Sequence, residues 1–323
     1  MLKTLEPACA TVDPAFRADV LKGLAEPIPA IPARWLYDRR GSELFDDITR
    51  LESYYPTRTE TALLTAKIGE MAARACQDCA VVEFGSGSST KTPILLAAMK
   101  PRAYVPIDIS GDYLRESAAR VDAQFPGLAV HAVEADFTKQ VVLPAAIDGL
   151  PRLGFFPGST IGNFVPRSAA DLLRHFRHIL GTGAKLLIGM DRVKPVERLI
   201  AAYDDPHGVT AEFNLNLLHR INRELEADIA VDAFAHEARW NDMLSRIEMH
   251  LVAQRDASFA IDGQRFAFKA GETIHTENSH KYEPRGGRLL LLAGGWTPVA
   301  EWSDDAGDFA LILAEAQPNR FAP

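Results

Sequence analysis

The stretch Val81-Val82-Glu83-Phe84-Gly85-Ser86-Gly87-Ser88-Ser89-Thr90-Lys91-Thr92 constrains what this chain can fold into more than any other. Val81, Val82 and Phe84 are β-branched or aromatic and suit a buried strand, whereas Gly85 and Gly87 allow dihedrals and close backbone approach that a Cβ forbids. The run from Thr92 to Met99 reads as a helix with Pro93 in its first turn. A strand therefore passes through a glycine turn into a helix N-terminus, where free N–H groups and the positive end of the dipole await a carboxylate or phosphate.

Several ligands compete for such a turn. A dinucleotide fingerprint needs a third glycine at position 90, and a P-loop needs a glycine just before the lysine, which is the same position; Thr90 fails both. A nucleoside without a pyrophosphate, such as S-adenosylmethionine, needs neither, and a purely structural left-handed turn is the remaining reading. Downstream residues favour the nucleoside. Ala103 to Ser110 reads as a second strand whose acid, Asp108, stands about twenty residues beyond Gly87, the spacing at which a carboxylate meets ribose hydroxyls. A third apolar run, Ala129 to Ala135, ends on Asp136 and Phe137, an acceptor and a ring suited to an adenine amino group and face. If the sheet is parallel, these pieces converge beyond the carboxyl ends of its strands.

The chain has 323 residues, 47% hydrophobic and 24% charged, enough for one large domain or two modest ones. A net charge of −8 argues against a nucleic-acid partner. The N-terminal stretch lacks an apolar core of signal-peptide length and no run of about eighteen apolar residues occurs, so a cytoplasmic protein without membrane contact is expected. Three cysteines, Cys9, Cys76 and Cys79, suit a reducing compartment; Cys76 and Cys79 form a lone CxxC, read as ordinary free thiols. His175 and His178 lie three apart on an expected helix over 168–180, with no acid or cysteine to complete a metal site, and no metal is expected.

Along the chain, residues 1–60 read as a helical preamble in which Ser42 is a candidate N-cap. Tyr54 and Tyr55 precede Pro56 and are expected on a loop, where phenols would be displayed to a substrate or pack a domain seam. Leu153 to Phe164 reads as a fourth strand ending on Asn163, whose amide offers both donor and acceptor, and Ala184 to Asp191 as a fifth. Strands alternating with helices argue a doubly wound parallel sheet. After Pro195 come two helices, the second with Phe213, Leu217, Leu218, Ile221 and Leu225 on a core stripe. From Arg239 to Tyr282 the pattern alternates like strands, with a hairpin at Asp262-Gly263, and ends in the polar set Thr273 to Tyr282, either an exposed hairpin end or a substrate pocket. Arg288 to Gly294 fits strand or helix equally, and two closing strands are expected to form an antiparallel edge.

Taken together, Tyr37-Asp38-x-Arg40-Gly41-Ser42, Tyr54-Tyr55-Pro56-Thr57-Arg58, Glu83-Phe84-Gly85-Ser86-Gly87 with Lys91-Thr92, Ile161-Gly162-Asn163, Ala202-Tyr203-Asp204 and Thr276-Glu277-Asn278-Ser279 resemble the histidine Nα-methyltransferases that make hercynine on the way to ergothioneine. The resemblance spans nearly the whole chain. It implies a class I methyltransferase fold, a Rossmann-like and mostly parallel sheet with an antiparallel edge, plus a smaller α+β substrate domain. Residues 60–195 and 284–323 would form the donor domain, 1–59 and 196–283 the substrate domain. By similarity Gly85, Gly87, Lys91, Asp108, Asp136 and Phe137 would hold S-adenosylmethionine. Tyr54, Asn163 and Tyr203 would grip the amino and carboxylate groups of histidine, with Tyr54 and Asn163 orienting the reacting amine. Glu277 and Ser279 would read the imidazole, and Tyr37 and Met249 would line the pocket. Asn278 stands where some members carry an apolar residue, which implies an effect on specificity rather than on the reaction.

The chemistry is consistent with those roles. Methyl transfer from a sulfonium needs an unprotonated amine aligned with the S–CH3 bond, so positioning supplies most of the catalysis, and no strong general base is assigned. Three successive methylations of free histidine by a monomer are expected. Methylation of a different amino acid, or an inert cofactor-binding module, are the rival readings; a nucleotide hydrolase using Lys91 is disfavoured by Thr90.

Overall fold

A computed structural model describes residues 13–87 and 90–318; the stretch before Asp13, with Cys9, and the glycine-turn residues Ser88 and Ser89 lie outside the described residues. The chain opens with helices α1 (Pro14–Ala25), α2 (Arg39–Arg50) and α3 (Tyr55–Arg74), with a 3-10 turn at Ala33–Leu36. It then alternates through β1 (Ala80–Phe84), α4 (Thr92–Met99), β2 (Ala103–Asp108), α5 (Gly111–Gln124), β3 (Ala129–Val130), β4 (Val133–Glu134), β5 (Arg152–Phe156), a 3-10 turn at Thr160–Asn163, α6 (Pro166–Leu180) and β6 (Lys185–Asp191). Next come α7 (Val196–Tyr203), α8 (Val209–Leu225) and strands β7 (Phe234–Asn241), β8 (Arg246–Ala253), β9 (Ala257–Ile261), β10 (Gln264–Phe268) and β11 (Thr273–His280). The chain closes with α9 (Pro284–Ala293), β12 (Trp296–Ser303) and β13 (Phe309–Ala316).

The main sheet runs β12-β13-β6-β5-β1-β2-β3, with β4 also on β2. Its pairings are parallel from β3 to β6, and β13 and β12 add the expected antiparallel edge. Alternate residues of β1 feed two cores: Val82 and Phe84 join Val105, Phe156, Phe176 and Trp296 on one face, while Val81 joins Leu64, Tyr104 and Leu153 on the other. Both faces being covered by helices explains why every residue of β1 is buried. Strand order reverses at β1, between β2 and β5, and this class I methyltransferase topology opens a crevice at the carboxyl ends of those strands.

A third core combines the start of the chain with its middle. Phe16, Trp35, Leu36, Leu44 and Ile48 pack against Phe213, Leu217 and Ile221 of the α8 stripe and against Ile247, Leu251 and Ile274 of the three-stranded antiparallel sheet β11-β8-β7. β9 and β10 form a separate hairpin whose turn residues Asp262 and Gly263 both have positive φ, as a two-residue hairpin loop requires. Among the described residues no helix is long and apolar enough to cross a membrane.

Several local expectations differ from the structure. α2 starts before Ser42 because Asp38 is the cap: the Gly41 N–H donates to its Oδ1 at 2.7 Å. Tyr54 ends the loop as the non-helical residue before α3, but Tyr55 is helical: Pro56 sits in the first turn, where a missing N–H costs nothing, so the helix starts at Tyr55, and both rings are buried rather than displayed. The third strand is split into β3 and β4, the break falling opposite Val105 and Pro106, the latter lacking an N–H for a ladder. The fourth strand ends at Phe156, and Asn163 belongs to a 3-10 turn beyond it. Residues 284–293 are helical. Cys76 and Cys79 are bonded as a disulfide rather than free, because α3 ends just before them and Asp78 turns back with φ 51°, leaving their Cα atoms 5.9 Å apart.

Candidate functional site

Every residue expected at the site lines one cavity of about 730 Å³ at the carboxyl ends of the central strands. At the donor end, Gly85 has φ +68°, and a Cβ there would lie 3.2 Å from Cε1 of Phe137, so the turn and the ring close on each other only with glycine. The Gly87 N–H donates to Oδ2 of Asp108 at 2.9 Å and the Ser110 N–H to its Oδ1 at 3.0 Å. Burial raises the Asp108 carboxyl above its usual range against the pull of those bonds. The second lone pairs of both oxygens remain for ribose hydroxyls. Phe137 stands in a ring cluster, with centroids 5.7 Å from Phe156 and 6.1 Å from Phe176.

Two donor-end residues are already engaged. Asp136 accepts from the Thr138 N–H at 3.0 Å and from Arg34 at 3.3 Å, and Arg34 also holds Asp19 at 2.6 Å. Lys91 is paired with Glu60, a buried carboxylate that also accepts from the Gly158 N–H at 2.8 Å. Glu83, at the end of β1, takes hydrogen bonds from Thr92 at 2.8 Å and from Tyr104; burial pushes it up to about 7. Glycine turn, anchored acid and adjoining aromatic face fit the nucleoside and methionyl parts of S-adenosylmethionine.

At the other end of the cavity, Oε1 of Glu277 accepts from Asn163 Nδ2 at 3.0 Å and from the Tyr37 hydroxyl at 3.2 Å. The hydroxyls of Tyr203 and Ser279 lie 2.8 Å apart. Lys281, fully buried, donates to both, at 2.8 and 2.9 Å, and to Oδ2 of Asp191 at 2.7 Å. Tyr37, Phe45 and Phe213 pack edge-to-face or tilted, with centroids 5.4 to 6.1 Å apart, and Tyr54 bridges Phe45 and Tyr203 at 6.2 and 5.8 Å. Burial, then neighbouring acidic groups, raises the phenols of Tyr37, Tyr54 and Tyr203, which are therefore donors at neutral pH. Burial also pushes Glu277 up to about 7, against the Tyr37 bond and the Lys281 charge.

A β-bulge aims these groups. The register of β11 on β8 shifts between His275 and Glu277, and the inserted Thr276 is tied by its hydroxyl to the Met249 carbonyl at 3.0 Å. Beyond the bulge Glu277 pairs with Met249 and Ser279 with Ile247, which puts both side chains on the cavity face. Asn278 pairs with Glu248 on the opposite face and does not line the cavity, so its expected effect on specificity has no contact to act through. That reverse face carries Glu248, His250 and His275, whose candidate ligand atoms lie within 4.8 Å of one another. There Arg246 already pairs with Glu248 at 2.6 Å, and the two imidazoles stack nearly parallel at 4.8 Å, so their lone pairs do not converge. His175 borders the cavity with its ring against the Lys139 carbonyl.

Sequence reasoning missed Phe45, Phe213, Glu60, Glu83, Arg34 and Lys281, all cavity or supporting residues. Lys281 lay inside the polar set flagged at the end of β11, but nothing in that string separates it from its neighbours. Tyr55 diverges from Tyr54: its hydroxyl donates to Asp191 at 2.6 Å and accepts from Lys194 at 2.8 Å.

The sequence has relatives among known proteins. The histidine N-alpha-methyltransferase of Mycobacterium tuberculosis is 45% identical over 308 residues, covering 93% of this chain and 94% of that protein. The histidine N-alpha-methyltransferase of Mycolicibacterium smegmatis is 42% identical over 93% of this chain and 94% of its own length. Ergothioneine biosynthesis protein 1 of Neurospora crassa is 29% identical over 84% of this chain, which spans 32% of that longer protein. A sequence model of histidine-specific, S-adenosylmethionine-dependent methyltransferases matches residues 16–316, and the chain belongs to that family.

Proposed function

We propose that this enzyme transfers methyl groups from S-adenosylmethionine to the α-amino nitrogen of L-histidine in three successive steps, giving hercynine for ergothioneine biosynthesis. The observation that carries this reading is the placement of Glu277 and Ser279 on one face of β11, at the end of the cavity away from the glycine turn. An imidazole offers one N–H and one bare nitrogen, and a carboxylate beside a hydroxyl is complementary to both. Leucine or phenylalanine would leave these buried groups unpaired and be strongly rejected.

Gly85, Gly87, Asp108 and Phe137 would hold the donor, with Asp136 and Lys91 beside them, and the bound donor supplies an electrophilic methyl on its sulfonium. The remaining work belongs to this chain's side chains. Asn163 spends one N–H on Glu277, which fixes the amide and leaves its Oδ1 to accept from the substrate amine and aim the nitrogen lone pair away from it. Tyr54, held as a protonated phenol, donates to the substrate carboxylate; Tyr203, also protonated, stands beside it with its proton on Ser279, and neither acts as a base. Solvent takes the ammonium proton before transfer. The walls of Tyr37, Phe45, Tyr54 and Phe213 suit a nitrogen that gains methyls and ends as a quaternary cation, which aromatic faces attract.

We assign residues 60–195 and 284–323 to the donor domain and 1–59 and 196–283 to the substrate domain, supported by the separate cores on either side of that division. The acidic charge supports action on a free amino acid without a nucleic-acid partner, and we place the enzyme in the cytoplasm as a monomer. The test is mass spectrometry after incubation with S-adenosylmethionine and an equal mixture of the twenty common amino acids. Histidine should gain methyl groups; methylation of another amino acid instead would overturn the substrate reading and leave the donor cradle standing.

A further inference from the structure

Lys281 lies just beyond β11 with its side chain completely buried, and its ammonium reaches the cavity lining at Tyr203 and Ser279. An ammonium has three hydrogens and no lone pair. Here the three go to Oδ2 of Asp191, to the Tyr203 hydroxyl and to Oγ of Ser279, at 2.7, 2.8 and 2.9 Å. Both hydroxyls are therefore acceptors toward Lys281. They are also 2.8 Å from each other, so one of their two protons is spent between them and one is left for the ligand. When a bare nitrogen faces Ser279, the accounting closes: Tyr203 donates to Ser279, Lys281 donates to both, and the Ser279 proton goes to the ligand. When an N–H faces Ser279, the pair must reverse, and a cationic ring comes to rest one hydroxyl away from a buried ammonium.

We propose that Lys281 is a positioning residue that occupies a lone pair on each hydroxyl of the Tyr203–Ser279 pair and sets an ammonium one hydroxyl from the ring, so that the pocket takes the uncharged imidazole, with one N–H and one bare nitrogen, and rejects the imidazolium. This rests on the reading of Glu277 and Ser279 as the imidazole contacts. The anchor of the device is Asp191, at the end of β6, whose other oxygen is paired with Lys194. Although burial pushes the Asp191 carboxyl up, the two ammoniums outweigh it and hold it below its usual range. The other charged or titratable groups facing the pair are Tyr54 and Tyr55 at the start of α3, and Glu277 with Tyr37 across the pocket; His280 lies on the reverse face of β11.

Glu277 titrates in the same range as an imidazole, so the test needs a reference ligand that cancels its contribution. 1,2,4-Triazol-3-ylalanine has nearly the shape of histidine and a ring that stays uncharged. Dissociation constants of both ligands are measured by calorimetry on the full chain with S-adenosylhomocysteine, from about pH 8 to about pH 5.5, where most free imidazole is protonated. The wild-type affinity for histidine relative to triazolylalanine should fall about tenfold over that range. In Lys281→Met the fall should shrink to less than about twofold, and in Lys281→Arg it should return, because charge and donors are restored. Lys281→Gln, which keeps a polar amide, provides the same readout if the methionine variant does not fold. Lys194→Met removes the other ammonium on Asp191, and should lose stability while keeping the tenfold fall. A full fall in Lys281→Met, or equal flattening in Lys194→Met, overturns the proposal. If instead Glu277→Gln and Ser279→Ala leave histidine affinity unchanged, the imidazole reading itself fails and the proposal goes with it.

Discussion

The two ends of the cavity are built by different means. The donor end takes Gly85, Gly87, Asp108, Asp136 and Phe137 from the ends of consecutive strands of one sheet, and the Gly87 and Ser110 N–H groups set the acid. The amino-acid end gathers Tyr37, Tyr54, Asn163, Tyr203, Met249, Glu277 and Ser279 from six separate places in the chain, and side chains hold one another in position. A backbone-built cradle is set by topology and survives most substitutions. A side-chain pocket depends on each member, so specificity can be redirected at that end without disturbing the other.

The largest effect that would break this separation is expected at Glu277. Glu277→Ala leaves Asn163 and Tyr37 without their shared acceptor and removes the imidazole N–H partner. Histidine affinity should fall by about a hundredfold, or about 3 kcal/mol, with donor affinity unchanged in the same calorimetric series. Equal losses for both ligands would mean that the two ends act as one unit. Asp108→Ala is the converse: donor affinity should drop roughly tenfold to fiftyfold, and histidine binding to the donor-free enzyme should hold.

A subtler difference is the pH dependence of stability. Glu277 has a folded-state value of about 7 against an ordinary 4.5, so between those values the folded chain binds more protons than the unfolded one. Stability contributed at this position is thus greatest at low pH and declines as pH rises towards 7. Glu277→Gln should therefore be as stable as wild type near pH 5 and gain up to about 3 kcal/mol on it near pH 8, read as a melting-temperature difference. A gain that does not change with pH would show that the carboxyl is not held uncharged. The smallest effect is expected at Asn278, on the reverse face: Asn278→Leu should alter histidine affinity less than about twofold, and a tenfold change would return it to the pocket.

The contrast also explains what the sequence made legible. The parallel sheet, its antiparallel edge and the donor acids follow from apolar runs, glycines and spacings that are local, and the structure keeps them in that form. In the amino-acid pocket, local reading singled out Tyr54, Asn163 and the polar set Thr273 to Tyr282 one at a time, and only the family resemblance joined them with Tyr37, Tyr203 and Met249, because its members share no period and no neighbourhood. A single inserted residue, Thr276, decides which way Glu277, Asn278 and Ser279 face, and strict alternation cannot register it. The supporting ions were not legible either: Asp191, Lys194, Lys281 and Tyr55 come from three segments, and each alone reads as a surface residue or a strand end. The CxxC read as free thiols for the same reason, since only the turn at Asp78 brings the two sulfurs together.

The most direct test of the account is the position and number of methyl groups placed on histidine. A time course with S-adenosylmethionine and L-histidine, followed by tandem mass spectrometry, should show one, then two, then three methyl groups, all lost with the α-nitrogen and none retained on the imidazole fragment. Methyl groups on the ring would contradict the account, because they would place the imidazole at the donor end and the amine against Glu277.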